Sequence, residues 1–193
     1  MDPNGKPLNE AHTPSDKYWQ TFYAKHLAPN FASPFAKEVA EIVGAGESLL
    51  DVGCGNGRDT KYFVSKGIGA EGLDPNNWTS EPEFPLHKQT LEDFENKHWD
   101  NIYSRFFIHA VPVSEEVRLY NYARRNANRI FIECRSNKEK FEGNHYRRFI
   151  DLNDLKDRLY YFIPHFEFTF EEGRFSEFNG ENPLLIRAYG VKV

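Results

Sequence analysis

Nine residues, Leu49-Leu50-Asp51-Val52-Gly53-Cys54-Gly55-Asn56-Gly57, constrain this chain more than any other stretch of it. The short apolar run Ser48-Leu49-Leu50-Asp51-Val52 is of the kind that forms a buried parallel strand, and three glycines at alternate positions follow at once. Lacking a Cβ, glycine lets the chain turn sharply and lets a ligand approach the backbone. In open parallel sheets, ligands sit beyond the carboxyl ends of the strands, which is where this loop falls. The nine residues therefore predict a strand, a ligand-binding loop and a following helix.

The flanking pattern extends that unit into an α/β domain. Residues 1–13 are polar, rich in Pro, Asn and Gly, and read as a flexible tail. Residues 14–193 read as one domain, its first part (about 14–43) forming N-terminal helices placed as a lid. Helices are expected over Asp16–Leu27, Pro34–Val43 (capped by Ser33, stopped by Gly44), Asp59–Lys66 (closed by Gly67), Ser114–Asn126 (with a Ser cap) and Leu152–Tyr161. Strands are expected at 48–52, Ala70–Asp74, Leu86–Gln89, Trp99–Ser104, Arg129–Cys134, His165–Phe170 and Leu184–Val191, with a helical turn at Leu91–Phe94. Alternating strands and helices predict a mostly parallel sheet of seven strands with helices on both faces. The last two strands have no helix between them, so they predict an antiparallel hairpin at one edge.

Composition narrows the functional classes. The chain carries a net charge of -5, which disfavours grip on a nucleic-acid backbone. No stretch approaches the ~20 apolar residues of a membrane span, and the start of the chain lacks a signal-peptide pattern, so a cytoplasmic enzyme is expected. The two cysteines, Cys54 and Cys134, suggest neither a disulfide framework nor a metal site. The charge is uneven, however. Between Arg105 and Arg148 there are ten Lys/Arg against five Asp/Glu, most of them readable as solvated helix faces.

A dinucleotide is the natural rival for the loop. Its fingerprint is Gly-x-Gly-x-x-Gly with a pyrophosphate on the helix N-terminus. Here the order is Gly-Cys-Gly-Asn-Gly-Arg, with Asp51 two residues ahead of the first glycine. A carboxylate there repels a pyrophosphate and attracts an ammonium. S-adenosylmethionine carries an ammonium and a sulfonium and has no phosphate, so charge favours it. Asp74, 21 residues past Gly53 at the end of the next strand, stands where Rossmann-type sites hold ribose hydroxyls.

The segment Leu-Leu-Asp-Val-Gly-Cys-Gly-Asn-Gly-Arg-Asp resembles the first motif of class I (Rossmann-like) S-adenosylmethionine-dependent methyltransferases, in a form similar to the thiopurine and tellurite-resistance branches. The resemblance implies that Asp51, Gly53, Cys54 and Gly55 surround the methionine part of the cofactor and that Asp74 binds its ribose. Gln89-Thr90-Leu91-Glu92-Asp93-Phe94 matches the loop that holds the adenine, with Thr90 where many relatives have an acid and Leu91 offering its N–H. Ser104 and Trp19 complete the expected cofactor set.

Acceptor candidates come from three clusters. Ser104, Arg105 and His109 follow the fourth strand, whose end faces the sulfonium in that family. His109 is the best general-base type there, or else a core histidine with a satisfied hydrogen bond. His145-Tyr146-Arg147-Arg148 supplies a pair of guanidiniums suited to phosphate or carboxylate, unless Arg147 instead pairs with Asp151. Glu133-x-Arg135-Ser136, the His-Tyr-Arg-Arg run and a closing Glu-Asn-Pro-Leu-Leu-Ile-Arg together resemble small polysaccharide-tailoring methyltransferases. Tyr18, Trp19 and Tyr23 form an aromatic stripe that reads as lid or as core, and as a lid it offers Tyr18 as a catalytic candidate beside Arg105 and His109 and Tyr23 as an acceptor contact. The expected acceptor is a small anionic metabolite methylated at oxygen. Rivals are a thiol, selenol or tellurite methyltransferase and a non-catalytic cofactor-binding protein.

Overall fold

The computed structural model describes residues 18–19, 21–22, 25, 29–76, 83–139, 146–177 and 182–193. The expected first helix falls largely outside this set, as do Tyr23 and His145.

Seven strands form one sheet in the order β3-β2-β1-β4-β5-β7-β6. They are β1 (Ser48–Val52), β2 (Gly69–Leu73), β3 (Leu86–His87), β4 (Trp99–Arg105), β5 (Ala127–Arg135), β6 (Phe166–Gly173) and β7 (Leu185–Lys192). The first five are parallel, and β7 lies antiparallel between β5 and β6. This is the expected mixed sheet with its C-terminal hairpin.

Within the continuously described segments, four helices cover it: α1 (Pro34–Ile42), α2 (Arg58–Ser65), α3 (Val113–Asn126) and α4 (Leu152–Phe162). On one face Phe35, Ala36 and Val39 of α1 and Phe63 of α2 pack on Leu49, Tyr103 and Phe131. On the other, Leu119, Tyr120 and Ala123 of α3 and Leu155 and Leu159 of α4 pack on Leu50, Ile102, Ile130, Ile132 and Ile186. Strand residues alternate between these two cores, which fixes the register of every strand. Among the described residues, no helix is long and apolar enough to cross a membrane.

Helix ends follow local chemistry, with two corrections. Ser33 caps α1, its Oγ accepting the Ala36 N–H at 3.0 Å. Gly44 is not the stop, because Val43 already leaves the helix in extended backbone (φ -85°, ψ 124°). Helix α3 starts one residue early, behind Pro112 and without a side-chain cap, so Ser114 falls inside its first turn. Glu115 and Glu116 in that turn and Arg124 and Arg125 in the last complement the helix dipole instead. Asp151 caps α4 by accepting the Asn153 and Asp154 N–H groups, a role the sequence reading did not give it. The third strand shrinks to two residues, and β3 passes to β4 through a turn near Leu91, with no helix among residues 83–98.

Candidate functional site

The glycine loop lies at the carboxyl end of β1, where the sheet splits between β2 and β4. Gly53, Gly55 and Gly57 adopt φ of 76°, 56° and 72°, in the left-handed region that side chains resist. Space is as binding as conformation: a Cβ on Gly57 would stand 2.0 Å from Phe84 Cζ, and one on Gly53 2.7 Å from Phe107 Cδ2. The loop is anchored to β2, whose Leu73 carbonyl accepts the N–H groups of Gly53 (2.8 Å) and Cys54 (3.3 Å). Asn56 Nδ2 and Arg58 Nη1 bind the carbonyls of Pro29 and Phe31, tying the segment ahead of α1 to the same loop.

Three acids gather here. Asp51 is buried, and its Oδ2 accepts the Thr60 hydroxyl at 2.6 Å. Burial above all, then repulsion from Asp59, pushes its carboxyl up to about 8. Asp74 accepts the Gly55 N–H at 3.1 Å on Oδ2 and the Asn76 N–H at 2.9 Å on Oδ1. The third acid, Asp59, escaped the sequence reading. It accepts the N–H (2.7 Å) and hydroxyl (2.8 Å) of Ser33 and the Tyr103 hydroxyl (2.9 Å), locking α1, α2 and β4 together. Cys54 is a packing residue here: a Cβ at Gly72 would meet its Sγ at 2.8 Å. Burial and the nearby Asp51 hold its thiol up, away from the reactive thiolate.

On the adenine side, the Thr90 hydroxyl donates to Asp93 at 2.9 Å, closing a turn. The Leu91 N–H takes no hydrogen bond among the described residues. Tyr18, Trp19 and Phe22 pack on one another, with ring centroids 5.0–6.1 Å apart.

The end of β4 is strained. Phe106 has φ 59°, a conformation costing a residue with a Cβ roughly 1–2 kcal/mol. It is held by its N–H on the Glu133 carbonyl (2.8 Å) and by the Arg105 guanidinium 4.0 Å over its ring. Such strain gathers at functional sites. Arg105 donates Nε to Glu133 Oε1 at 2.8 Å, and its two terminal nitrogens take no hydrogen bond among the described residues. Burial opposes the charge on Arg105 most strongly, but Glu133, Asp59 and Tyr103 together outweigh it, so the group stays protonated. Ser104 is buried, its hydroxyl 3.4 Å from the Val52 carbonyl.

His109 lies buried in the turn after β4, and its Nδ1 accepts the Arg135 N–H at 3.3 Å. The neutral ring therefore carries its proton on Nε2 and presents a donor rather than a base. Arg148 holds this turn in place. Its N–H binds the His109 carbonyl (2.7 Å), and its Nη1 binds the Ile108 carbonyl (3.1 Å) and the buried carboxylate of Glu116. Glu116 also receives Arg158 Nε (2.8 Å) and the Tyr120 hydroxyl (2.6 Å). Of the two adjacent arginines, then, Arg148 is committed to the protein. Arg147 lines a cleft with Arg135, Ser136, Glu139 and Leu184 beyond the end of β5. Asp151 is taken up by its cap and by Asn137, so it is not the partner of Arg147.

The sequence reading met Glu133 and Arg187 only as members of motifs and gave neither a role of its own. Both are charges set inside apolar strand runs, Ile130-Phe131-Ile132-Glu133 and Leu184-Leu185-Ile186-Arg187. In strands buried on both faces, that interruption was the available signal.

A sequence-family model described as a methyltransferase domain matches residues 22–149. No curated protein matches the sequence. Among solved structures, a TehB-like SAM-dependent methyltransferase from Corynebacterium glutamicum is 17% identical, with a TM-score of 0.65 over 93% of this chain and 98% of that one. Magnesium protoporphyrin IX methyltransferase from Synechocystis, with bound SAH, is 14% identical, with a TM-score of 0.59 over 89% and 82%. A glycopeptide N-methyltransferase complexed with S-adenosyl-L-homocysteine is 13% identical, with a TM-score of 0.66 over 84% and 90%. At these identities the likeness is one of fold.

Proposed function

We propose that this chain, which belongs to the methyltransferase-domain family and is an S-adenosylmethionine-dependent methyltransferase, acts on a small anionic acceptor and methylates it at oxygen. The observation that carries the acceptor class is Arg105. Its Nε is fixed on Glu133, its face lies on Phe106, and its two terminal nitrogens take no hydrogen bond among the described residues, in a chain that is acidic overall. A guanidinium so held is a fork for carboxylate or phosphate. Arg147, in the cleft past β5, is a further candidate contact.

The residues present fit the cofactor. The glycine loop turns sharply at the carboxyl end of β1 through three positive-φ glycines, and Asp51 is a buried carboxyl group suited to an ammonium. Bound there, S-adenosylmethionine supplies an electrophilic methyl group on sulfur. Asp51, Gly53, Cys54 and Gly55 hold its amino-acid part, Asp74 its ribose, and Thr90 and Leu91 border its base. Ser104 and Arg105 flank the reacting centre, and Tyr18, Trp19 and Tyr23 close over it as a lid. His145 lies next to the Arg147 cleft in sequence and contributes to acceptor binding. The protein's work is alignment and exclusion of water, since methyl transfer is a direct displacement at carbon. The acceptor oxygen forms the new bond to the methyl carbon as the carbon–sulfur bond breaks toward sulfur. An oxygen already ionised gives up no proton, which suits a His109 that donates through Nε2.

The test is formation of S-adenosylhomocysteine with carboxylated, phosphorylated and neutral metabolites. Expected is turnover with an anionic member that falls at least tenfold in Arg105→Ala. Equal use of a neutral acceptor by wild type and by an Arg105→Ala/Arg147→Ala variant would overturn the acceptor class.

A further inference from the structure

Three strands carry one charged row across the α1 face of the sheet. Glu133 on β5 pairs in register with Arg105 on β4 and with Arg187 on β7. Its carboxylate is fully buried and accepts one Nε from each arginine, Arg105 on Oε1 and Arg187 on Oε2, both at 2.8 Å. Arg187 turns Nη1 to Glu38 at 2.6 Å, and the Tyr189 hydroxyl donates to the other oxygen of Glu38. Glu38 is 43% exposed, so water screens much of its charge. Two buried guanidiniums thus share one buried carboxylate, with the part-exposed Glu38 as the second acid of the row.

Both guanidiniums are fixed on their faces as well. Arg105 lies 4.0 Å from the centroid of Phe106, and Arg187 lies between Phe175 (4.1 Å) and Phe35 (5.0 Å). What each can still offer is its remaining edge. The Nη2 of Arg187 is buried with no hydrogen-bond partner, and the buried hydroxyl of Ser176, beside Phe175, has none either. Unpartnered buried donors of this kind are rare because leaving them so is costly. Two of them next to a charged row point to a group that arrives from outside.

We infer that Arg187 is the second arm of the acceptor site, so that a carboxylate or phosphate group is received between Arg105 and Arg187 with Glu133 as the post that positions both. This rests on the reading above of an anionic acceptor and moves its second contact from Arg147 to Arg187 on β7. Ser176 and Phe175, from the connection between β6 and β7, cover the Arg187 end.

The experiment uses the full chain saturated with S-adenosylhomocysteine, its binding measured first by calorimetry. Inorganic phosphate and acetate are then titrated separately at constant ionic strength set with chloride. Wild type is expected to bind at least one of them, and the anion that binds names the acceptor's class. Arg187→Gln and Arg187→Lys are expected to weaken that binding at least tenfold while S-adenosylhomocysteine affinity stays within twofold. Retained cofactor-product binding shows that the variants fold. Arg125→Ala, which removes a charge at the exposed end of α3, is expected to bind the anion as wild type does. Failure of wild type to bind S-adenosylhomocysteine would strike the cofactor reading instead. Saturable product binding with no anion bound, or anion binding lost in Arg147→Ala but kept in both Arg187 variants, would overturn the inference.

Discussion

The carboxyl ends of β1 and β2, and those of β4 and β5 with the amino end of the antiparallel β7 beside them, treat acidic residues in opposite ways. In the first region the acids are held mainly by neutral donors: Asp51 by the Thr60 hydroxyl, Asp74 by the Gly55 and Asn76 amides, Asp59 by Ser33 and Tyr103. Arg58 approaches Asp59 only to 3.8 Å. In the second, Glu133 lies between Arg105 and Arg187, and on the other face of the sheet Glu116 lies between Arg148 and Arg158. An acid held by neutral donors still gains from a cation, whereas an acid held by arginines leaves guanidinium edges over. That difference is what the proposal of an anionic acceptor rests on.

The largest effect that can sharpen this contrast belongs to Arg148. Arg148→Ala leaves Glu116 buried with one guanidinium fewer, and breaking such a pair costs roughly 3–5 kcal/mol. Because Arg158 and Tyr120 remain, a loss of about 3 kcal/mol in denaturant unfolding is expected, with cofactor affinity nearly unchanged. A loss of acceptor affinity at wild-type stability would instead return Arg148 to the acceptor.

On the acidic side, Asp74→Ala is expected to weaken S-adenosylhomocysteine binding about ten- to a hundredfold, since charge-assisted hydrogen bonds are worth roughly 1.5–3 kcal/mol. Asp74 also holds the Gly55 N–H, so part of that loss comes through a loosened loop. Unchanged affinity with a lowered melting temperature would make Asp74 a structural residue.

This contrast also separates what was legible in the sequence from what was not. The glycine loop, its strand and Asp74 are local: turn, spacing and charge lie within 30 residues, and the seven strands followed from periodicity. The partners of the acids are not local. Glu116 meets Arg148 across 32 residues, and Glu133 meets Arg187 across 54. No periodicity reveals such a pair, so the run Arg147-Arg148 read as an anion fork although one of the two is neutralised in the core. The caps misread at Gly44 and Ser114 failed for a related reason, because neighbours that end or begin a helix earlier outrank a good capping residue.

Asp51 sets the next test. Its raised carboxyl, at about 8 in the free protein, must ionise to pair with an ammonium, so binding releases a proton. Below pH 8 affinity falls with falling pH, by at most about tenfold per unit. Fold stability runs the other way: between about 4 and 8 the native chain keeps a proton the unfolded chain loses, so this group's contribution declines as pH rises. Calorimetry at pH 7 in buffers of different ionisation enthalpy reads the released proton, and Asp51→Asn is expected to abolish that release. Proton-neutral binding with pH-independent affinity would mean that Asp51 does not change its charge on binding.

The smallest effect is expected at His109, and its smallness is informative. The ring accepts the Arg135 N–H on Nδ1, and Arg148 grips the carbonyl of the same residue, so its orientation is fixed by groups that leave Nε2 as the donor. A glutamine can supply a donor there, and an ionised acceptor oxygen needs no base. His109→Gln, assayed at saturating cofactor so that Asp51 does not intrude, is therefore expected to lower kcat by less than about tenfold. The wild-type kcat is expected to be flat between pH 6 and 8. A general base would behave otherwise, with a loss of roughly 10²–10⁴-fold and an acidic limb near the histidine range around 6.5. That outcome would require Nδ1 and Nε2 to exchange roles and would point to a neutral hydroxyl as the methylated group, with Arg105 then gripping an anion elsewhere on the acceptor.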